Sequence, residues 1–277
     1  MLKFVFLVCL VEFAHCSCTQ DTGGTTTTDY NITDGSSDSW EFRGLDVGAI
    51  SGDFYHLVSF SIGNCAVIRE NANGTQVWTK QYTTGTLCSS IKVDSSENKA
   101  FFGGSGTTFH LGSLNCSDGA LNSYLKMSNG TYRISDTRGG ISISPDGAMV
   151  AFGGNERSSY NNGYACILVV SDTSLKCDNS TTTYFSGPAF SSDYQVLFVQ
   201  TSESNQYLVF KAYSAPDLTF IYGKYTFDYG ANSAIPVDYV QTSANSNHFC
   251  FAADVLAQDL VYLTVVDASD GSPIITR

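Results

Sequence analysis

The chain contains 277 residues and carries 14 Lys and Arg against 26 Asp and Glu, which gives a formal net charge of −12 at pH 7. Such an acidic chain lacks the basic stripe that contacts nucleic-acid phosphates, so no nucleic-acid partner is expected. Hydrophobic residues make up 43% of the chain and charged residues only 14%, which excludes a disordered chain and a coiled coil. The abundant Tyr, Phe and Gly favour an all-β domain, because aromatic residues prefer strands.

The N-terminus has the layout of a secretory signal peptide. Lys3 precedes an apolar run from Phe4 to Val11, and the segment Ala14-His-Cys-Ser17 follows it. The run is too short to span a bilayer, which takes about 20 apolar residues, and no second run of spanning length exists. We predict a signal peptide over residues 1–17, no membrane span, and a secreted, extracellular or cell-surface protein. The alternative is a buried strand at the start of the domain.

Two further features agree with export. The chain has five N-glycosylation sequons, which predict surface loops in a secreted protein; their asparagines are Asn31, Asn73, Asn115, Asn129 and Asn179. Six cysteines lie beyond residue 20, and an exported chain is expected to oxidise them; these disulfide candidates are Cys65, Cys88, Cys116, Cys166, Cys177 and Cys250. The sequence does not choose among their pairings, but Cys166 and Cys177 flank one predicted hairpin and are the best candidates for a pair.

No metal site is predicted, because no C-x-x-C pair is present and the histidines at 15, 56, 110 and 248 are scattered. Residues 18–43 form a predicted Thr-, Ser- and Gly-rich tail, which either is an extended leader or adds a strand to a neighbouring subunit.

From Gly44 to the end the chain repeats a hairpin pattern. The segment 91–104 aligns without a gap on 141–154, and 188–199 is a third copy; fainter copies lie at 49–61 and 236–254. Each copy predicts a strand, a polar turn such as Ser144-Pro-Asp-Gly147, and a second strand.

A second predicted hairpin follows each of these copies. The five second hairpins span 65–78, 109–125, 164–177, 207–222 and 260–275. Their turns include Asn73-Gly74, Asp118-Gly119 and Asp270-Gly271, which favour hairpins because these residues tolerate positive φ. The sequence therefore predicts a β-propeller-like array of about five four-stranded antiparallel blades over residues 44–277.

The segment Glu70-Asn-Ala-Asn-Gly74-Thr-Gln-Val-Trp78 resembles a repeat of quinoprotein-like propellers, and Ser144-Pro-Asp-Gly147 is similar to the turn of tryptophan-aspartate repeat propellers. The first resemblance implies that Gly74 makes a tight turn and that Trp78 lies on the outer strand and packs between blades. Asp267-Ala-Ser-Asp-Gly271 keeps the spacing, but Ile275 stands where the Trp would be. Trp40-Glu-Phe-Arg-Gly44 is expected to supply an outer strand that closes the ring against the last unit. The competing fold is a pair of β-sandwich domains.

No catalytic residues are predicted. Gly103-Gly-Ser-Gly106 lacks the spacing of a hydrolase nucleophile elbow, and His110 or His248 alone is more typical of a structural or surface histidine. The aspartates of 267–271 have the wrong spacing for an EF-hand. The quinoprotein resemblance implies a quinone and Ca²⁺, but the adjacent cysteine pair of many such enzymes is missing.

Together these features predict a secreted, glycosylated binding or structural protein without cofactor or enzymatic activity. Its propeller surfaces are expected to bind an extracellular protein or glycan, or to assemble copies of the chain into an oligomer or filament as a scaffold or assembly subunit. The alternative is a secreted propeller enzyme, either a quinoprotein-like oxidoreductase or a glycosidase with paired carboxylates.

Overall fold

The computed structural model describes most of the chain from Trp40 onward. The described ranges are 40–60, 64–83, 88–105, 109–127, 132–133, 140–156, 163–171, 174–180, 188–193, 195–201, 207–228, 234–242, 247–255 and 260–276. The predicted signal peptide and almost all of the predicted tail lie outside these ranges. Within them the regular structure consists of strands, with no helix long and apolar enough to cross a membrane.

The strands form five sheets that follow one another along the chain. Blade 1 consists of β1 (Trp40–Val47), β2 (Phe54–Phe60), β3 (Asn64–Glu70) and β4 (Gln76–Thr83). Blade 2 consists of β5 (Ser90–Val93), β6 (Lys99–Ser105), β7 (Phe109–Asn115) and β8 (Leu121–Met127). Blade 3 consists of β10 (Ile141–Ile143), β11 (Met149–Glu156), β12 (Gly163–Val169) and β13 (Leu175–Ser180), and the short β9 (Tyr132–Arg133) pairs with β11.

Blade 4 consists of β14 (Ala189–Phe190), β15 (Gln195–Thr201), β16 (Tyr207–Ser214) and β17 (Thr219–Asp228). Blade 5 consists of β18 (Ala234–Thr242), β19 (His248–Val255), β20 (Leu260–Asp267) and β21 (Pro273–Thr276). In every blade the four main strands pair antiparallel in the order of the sequence, and β9 is an additional short strand beside β11 of blade 3. The strands β1, β5, β10, β14 and β18 neighbour one another in that order. Among the described residues no strand hydrogen-bonds into another blade's sheet. The predicted array of five four-stranded antiparallel blades is confirmed.

The ring-closing role predicted for Trp40 to Gly44 is wrong. These residues begin β1, which pairs antiparallel with β2 from Trp40↔Phe60 to Val47↔Phe54. Blade 1 therefore begins at Trp40, four residues before the predicted start at Gly44. The turn lies at 48–53, so the segment 49–61 holds a turn and one strand rather than a whole hairpin. The sequence did not indicate the position of this turn, because it has no Asn-Gly or Asp-Gly pair at its centre.

Turn residues with positive φ hold the hairpins. Gly74, Gly119, Gly147 and Gly271 have φ between 70° and 79°, the left-handed region that costs glycine little. Glu97 takes the place in blade 2 that Gly147 takes in blade 3, and its φ is 52°. A non-glycine residue at this angle is uncommon, and contacts made by its side chain offset the backbone cost.

Apolar side chains pack between consecutive blades. Between blades 1 and 2 the buried cluster includes Tyr55, Leu57, Val67, Phe102 and Leu114. A second cluster joins blades 2 and 3 through residues such as Phe101, Leu111, Val150 and Phe152, and a third joins blades 3 and 4. Successive residues of one strand pack in different interfaces, because successive side chains point to opposite faces of a sheet. Phe101 packs between blades 2 and 3, and Phe102 packs between blades 1 and 2.

Trp78 connects blade 1 to the outer turn of blade 2. It lies on the outermost strand β4, is only 9% exposed, and its Nε1 donates a hydrogen bond to the carbonyl oxygen of Cys116 at 2.9 Å. Its ring also lies against Gly119, because a Cβ at that glycine would stand 2.9 Å from Trp78 Cε3. The prediction that this tryptophan packs between blades is confirmed.

Tyr222 makes the same connection between blades 4 and 5. It lies on the outermost strand β17, and its hydroxyl donates to the carbonyl oxygen of Ala268 at 2.9 Å. A Cβ at Gly271 would stand 2.5 Å from Tyr222 Cε2. Tyr222 follows the turn residue Leu218 by four positions, as Trp78 follows Gly74, and Leu218 has a φ of 53°. The sequence did not indicate that Tyr222 is the equivalent of Trp78, because leucine occupies the turn position where glycine was expected.

Candidate functional site

A buried site joins blades 1 and 2 at the cysteines of β3 and of the segment before β5. Cys65 and Cys88 form a disulfide across 23 residues of sequence, with their Cα atoms 6.1 Å apart. Both side chains are fully buried. The bond therefore links two neighbouring blades covalently and closes the chain between the outer hairpin of blade 1 and the first strand of blade 2.

His110 lies next to this disulfide. It comes from β7 in blade 2, is fully buried, and its Nε2 is 3.5 Å from Cys88 Sγ. The ligand atoms of Cys65, Cys88 and His110 all lie within 4.8 Å of one another. Thiolate sulfur and imidazole nitrogen are the ligands that zinc and other thiophilic cations take in proteins, and these three residues are the described group with that set of ligand types, although the two sulfurs are bonded to each other here. Sequence analysis assigned His110 no role and predicted no metal site.

Tyr124 covers the histidine from the outer strand. Its ring on β8 stacks on the His110 ring, with the centroids 5.8 Å apart and an interplanar angle of 27°. Burial raises the pKa of the Tyr124 hydroxyl. Tyr82 packs against the buried cluster that contains both cysteines and stacks on Phe102, with centroids 4.9 Å apart. Aromatic side chains therefore lie near the disulfide and over the imidazole.

Cys116 is a thiol, and its surroundings make it inert. Its main-chain carbonyl accepts hydrogen bonds from Trp78 and, at 2.8 Å, from Arg69 Nη1. Arg69 also pairs with Asp53 at 2.6 Å. Burial raises the pKa of the Cys116 thiol to about 11, so the thiol stays protonated at neutral pH and is a poor nucleophile. Cys116 occupies the turn position that Ala268 occupies in blade 5, which indicates a packing role for a small side chain.

The second disulfide lies within blade 3. Cys166 and Cys177 face each other on the paired strands β12 and β13, with an S–S distance of 2.07 Å. This is the pair that the hairpin indicated in the sequence. Of the two remaining candidates, Cys116 and Cys250 are thiols in the structure, and Cys250 is half-buried on β19. Four of the six predicted cysteines are therefore disulfide-bonded, and the prediction of disulfide bonds is confirmed.

The sequon asparagines fall in unlike surroundings. Asn73 is exposed in the turn between β3 and β4, where its main-chain N–H donates to Asn71 Oδ1 at 3.0 Å. Asn115 ends β7 and is half-buried, and its Oδ1 accepts a hydrogen bond from Asn122 Nδ2 at 2.5 Å. Asn179 belongs to β13, and Asn31 and Asn129 lie outside the described residues. Asn73 is therefore the sequon that the described structure presents most openly.

Glu97 connects the turn between β5 and β6 of blade 2 to the turn between β1 and β2 of blade 1. Its Oε1 accepts hydrogen bonds from the main-chain N–H groups of Ile50 and, at 2.8 Å, Ser51. Partial burial opposes ionisation, but the hydrogen bonds from Ser51 and Ile50 prevail and lower the pKa of the Glu97 carboxyl. A hydrogen bond also connects the inner turns of blades 2 and 3, because Ser95 Oγ donates to the Pro145 carbonyl at 2.7 Å.

His56, His248 and the Asp-rich turn lie elsewhere in the described structure. His56 on β2 pairs with Glu70 at 3.5 Å, and burial lowers its pKa in spite of that carboxylate. His248 begins β19 in blade 5, and His15 lies outside the described residues. In the turn at 267–271, Asp267 Oδ1 accepts a hydrogen bond from the Ser269 main-chain N–H at 2.8 Å, as a capped turn requires.

No protein-family model and no curated protein matches the chain. Among solved structures the chain is similar to one described as the Dos1 propeller, with a TM-score of 0.57 and 11% sequence identity. The similarity covers 80% of this chain and 55% of that chain, so this chain spans about half the length of that structure. At this identity the likeness shows the fold alone. The fold is a β-propeller array, as the repeat and its resemblance to propeller families predicted, and not a pair of β-sandwiches.

Proposed function

We propose that the chain is an exported, glycosylated propeller protein that acts by binding or assembly at or outside the cell surface. The observation that carries this proposal is a propeller cross-linked by two disulfides, because stable disulfides are typical of oxidising compartments. The exposed sequon at Asn73 and the signal-peptide pattern at the N-terminus support it. A propeller that presents its blade surfaces to other macromolecules is a common form of interaction scaffold.

Exposed apolar side chains supply candidate binding surfaces. On β1 the side chains of Phe42, Leu45 and Val47 are each about half exposed, and they share one face of the sheet because they pair with alternate residues of β2. We call these three residues the β1 surface. Phe220 on the outermost strand of blade 4 is also 57% exposed. Clustered apolar side chains at a surface favour association with protein, whereas single ones are ordinary.

Export and glycosylation are tested by expressing the full chain, with its own N-terminus, in a eukaryotic secretory cell. We expect protein in the medium, with glycan on Asn73, and lower occupancy at Asn115 because its side chain is half-buried and already hydrogen-bonded. Glycopeptide mass spectrometry measures both sites, and Asn73→Gln is the variant that should lose the first glycan. Retention of the intact, unglycosylated chain inside the cell would contradict the proposal.

Binding or assembly is tested on the secreted protein by size-exclusion chromatography with light scattering and by negative-stain imaging. If copies associate through the β1 surface, Leu45→Asp should shift assemblies toward monomers, since a charge is costly in an apolar contact. Phe220→Asp is the matched control, because it places the same charge at an exposed apolar position on another blade. Assemblies that respond to Phe220→Asp alone would exclude the β1 surface. A monomer without partner binding in extracellular fluid or to a glycan array would contradict the proposed function.

A further inference from the structure

We propose that Cys65, Cys88 and His110 form a binding site for a thiophilic closed-shell cation such as Zn²⁺ when the disulfide between the two cysteines is reduced. The disulfide and the metal site exclude each other, because a cysteine sulfur in a disulfide is no longer a thiolate ligand. The site would lie at the junction of blades 1 and 2, so that the same two blades are held together either by a covalent bond or by a cation.

The spacing of the histidine and Cys88 already suits a shared cation. In a tetrahedral zinc site the Zn–S distance is about 2.3 Å and the Zn–N distance about 2.0–2.1 Å, which places the two ligand atoms about 3.6 Å apart. The distance from Cys88 Sγ to His110 Nε2 is 3.5 Å. The two sulfurs would have to separate to about 3.8 Å. Side-chain rotation can provide that movement, because the Cα atoms are 6.1 Å apart.

The surroundings select the class of cation. All three side chains are fully buried, and the two cysteines belong to a cluster of apolar and aromatic side chains, with the buried Ser59 opposite Cys65 on the neighbouring strand. A buried site with two sulfurs and one imidazole nitrogen favours zinc or monovalent copper over Mg²⁺ or Ca²⁺, which need several oxygen ligands. The stacking of Tyr124 on His110 restricts rotation of the imidazole plane.

The Cys166–Cys177 disulfide does not belong to a comparable group of metal-ligating side chains among the described residues. Around Cys166 and Cys177 the described residues include no group of three metal-ligating side chains, whereas the first disulfide belongs to such a group. Cys166 and Cys177 can therefore be replaced without removing any of the three proposed ligands.

The chemistry balances with a dithiol as the reductant. One dithiol gives two electrons and two protons to the Cys65–Cys88 bond and becomes a cyclic disulfide, and the S–S bond of the protein becomes two thiols. Binding of one Zn²⁺ then displaces both thiol protons and forms two Zn–S bonds and one Zn–N bond, and a water molecule keeps the fourth position of the tetrahedron. The imidazole binds through the lone pair of its neutral form and releases no proton.

The test uses the full chain carrying Cys166→Ser and Cys177→Ser, so that the only described disulfide left is the one at the site. The protein is reduced with a dithiol, separated from it without oxygen, loaded with ZnCl₂, and analysed for bound zinc by mass spectrometry of the metal. We expect about one Zn²⁺ per chain above the level in the same protein kept oxidised. The oxidised sample needs no further mutation, so misfolding of a variant cannot explain the difference. Equal zinc in the two samples would overturn the proposal.

Two variants in the same background test the ligands. Cys65→Ser with Cys88→Ser keeps every other thiol of the chain and should lose the redox-dependent zinc. His110→Gln keeps both cysteines and should raise the Kd for Zn²⁺ on the order of 100-fold. With Cd²⁺ in place of Zn²⁺, the ultraviolet thiolate charge-transfer band should report two thiolates in the parent protein. An unchanged Kd in His110→Gln, or zinc retained without the two cysteines, would overturn the assignment.

Discussion

Substitution of Gly119 by alanine tests the packing of Trp78 of blade 1 against the outer turn of blade 2. Gly119 has a φ of +70°, which costs an alanine about 1 kcal/mol. The added Cβ would also stand 2.9 Å from Trp78 Cε3 and 2.6 Å from Lys80 Cγ. The exposed Lys80 side chain can turn away, but the buried ring cannot, and such overpacking costs about 1–3 kcal/mol. The expected loss of stability is therefore about 2–4 kcal/mol.

Gly74→Ala is the matched control. Gly74 has a φ of +79°, but the nearest atom to an added Cβ is Glu70 Oε1 at 3.3 Å, the end of a flexible side chain. Its expected loss is only the backbone cost of about 1 kcal/mol. Thermal unfolding at one scan rate measures both variants, and the gap between them should be roughly 2–12 °C for a domain of this size.

A double-mutant cycle separates the clash from the backbone cost. In a Trp78→Leu background the ring atoms that meet the new Cβ are gone, so Gly119→Ala should cost no more than Gly74→Ala. Equal losses for the two glycine variants in the parent protein would refute the packing explanation. An extra loss at Gly119 that persists without the tryptophan ring would refute it as well.

Two further predictions concern contacts between blades. Glu97→Gln should lower stability at neutral pH and have no effect in strong acid, because the folded pKa of this carboxyl is lowered. The stabilisation is present above the ordinary pKa of about 4.3 and disappears as the pH falls through the lower folded value, so a pH-independent difference in unfolding free energy would contradict it. Tyr222→Phe removes the hydroxyl that donates to the Ala268 carbonyl and should lower the free energy of unfolding by about 1 kcal/mol. Thermal unfolding should show this loss as a Tm decrease of about 2–4 °C. An unchanged Tm would show that this hydrogen bond contributes nothing to stability.

Local sequence predicted the hairpins well because their signals are local. The alternation of apolar residues sets each strand, and turn residues such as Gly74 and Gly119 mark where the chain reverses. The disulfide of Cys166 with Cys177 also followed from one hairpin, since its two strands pair directly. The turn at 48–53 was misplaced for the converse reason: it lacks a strong turn pair.

Contacts between blades were decided by the tertiary structure. Cys65 pairs with Cys88, and His110 lies beside them, because the blades stack face to face and bring together residues that no sequence spacing relates. Tyr222 occupies the position of Trp78 although Leu218 replaces the expected glycine. Hairpin formation depends on neighbours along the chain, whereas a buried site between blades depends on which faces meet, and only the assembled fold determines that.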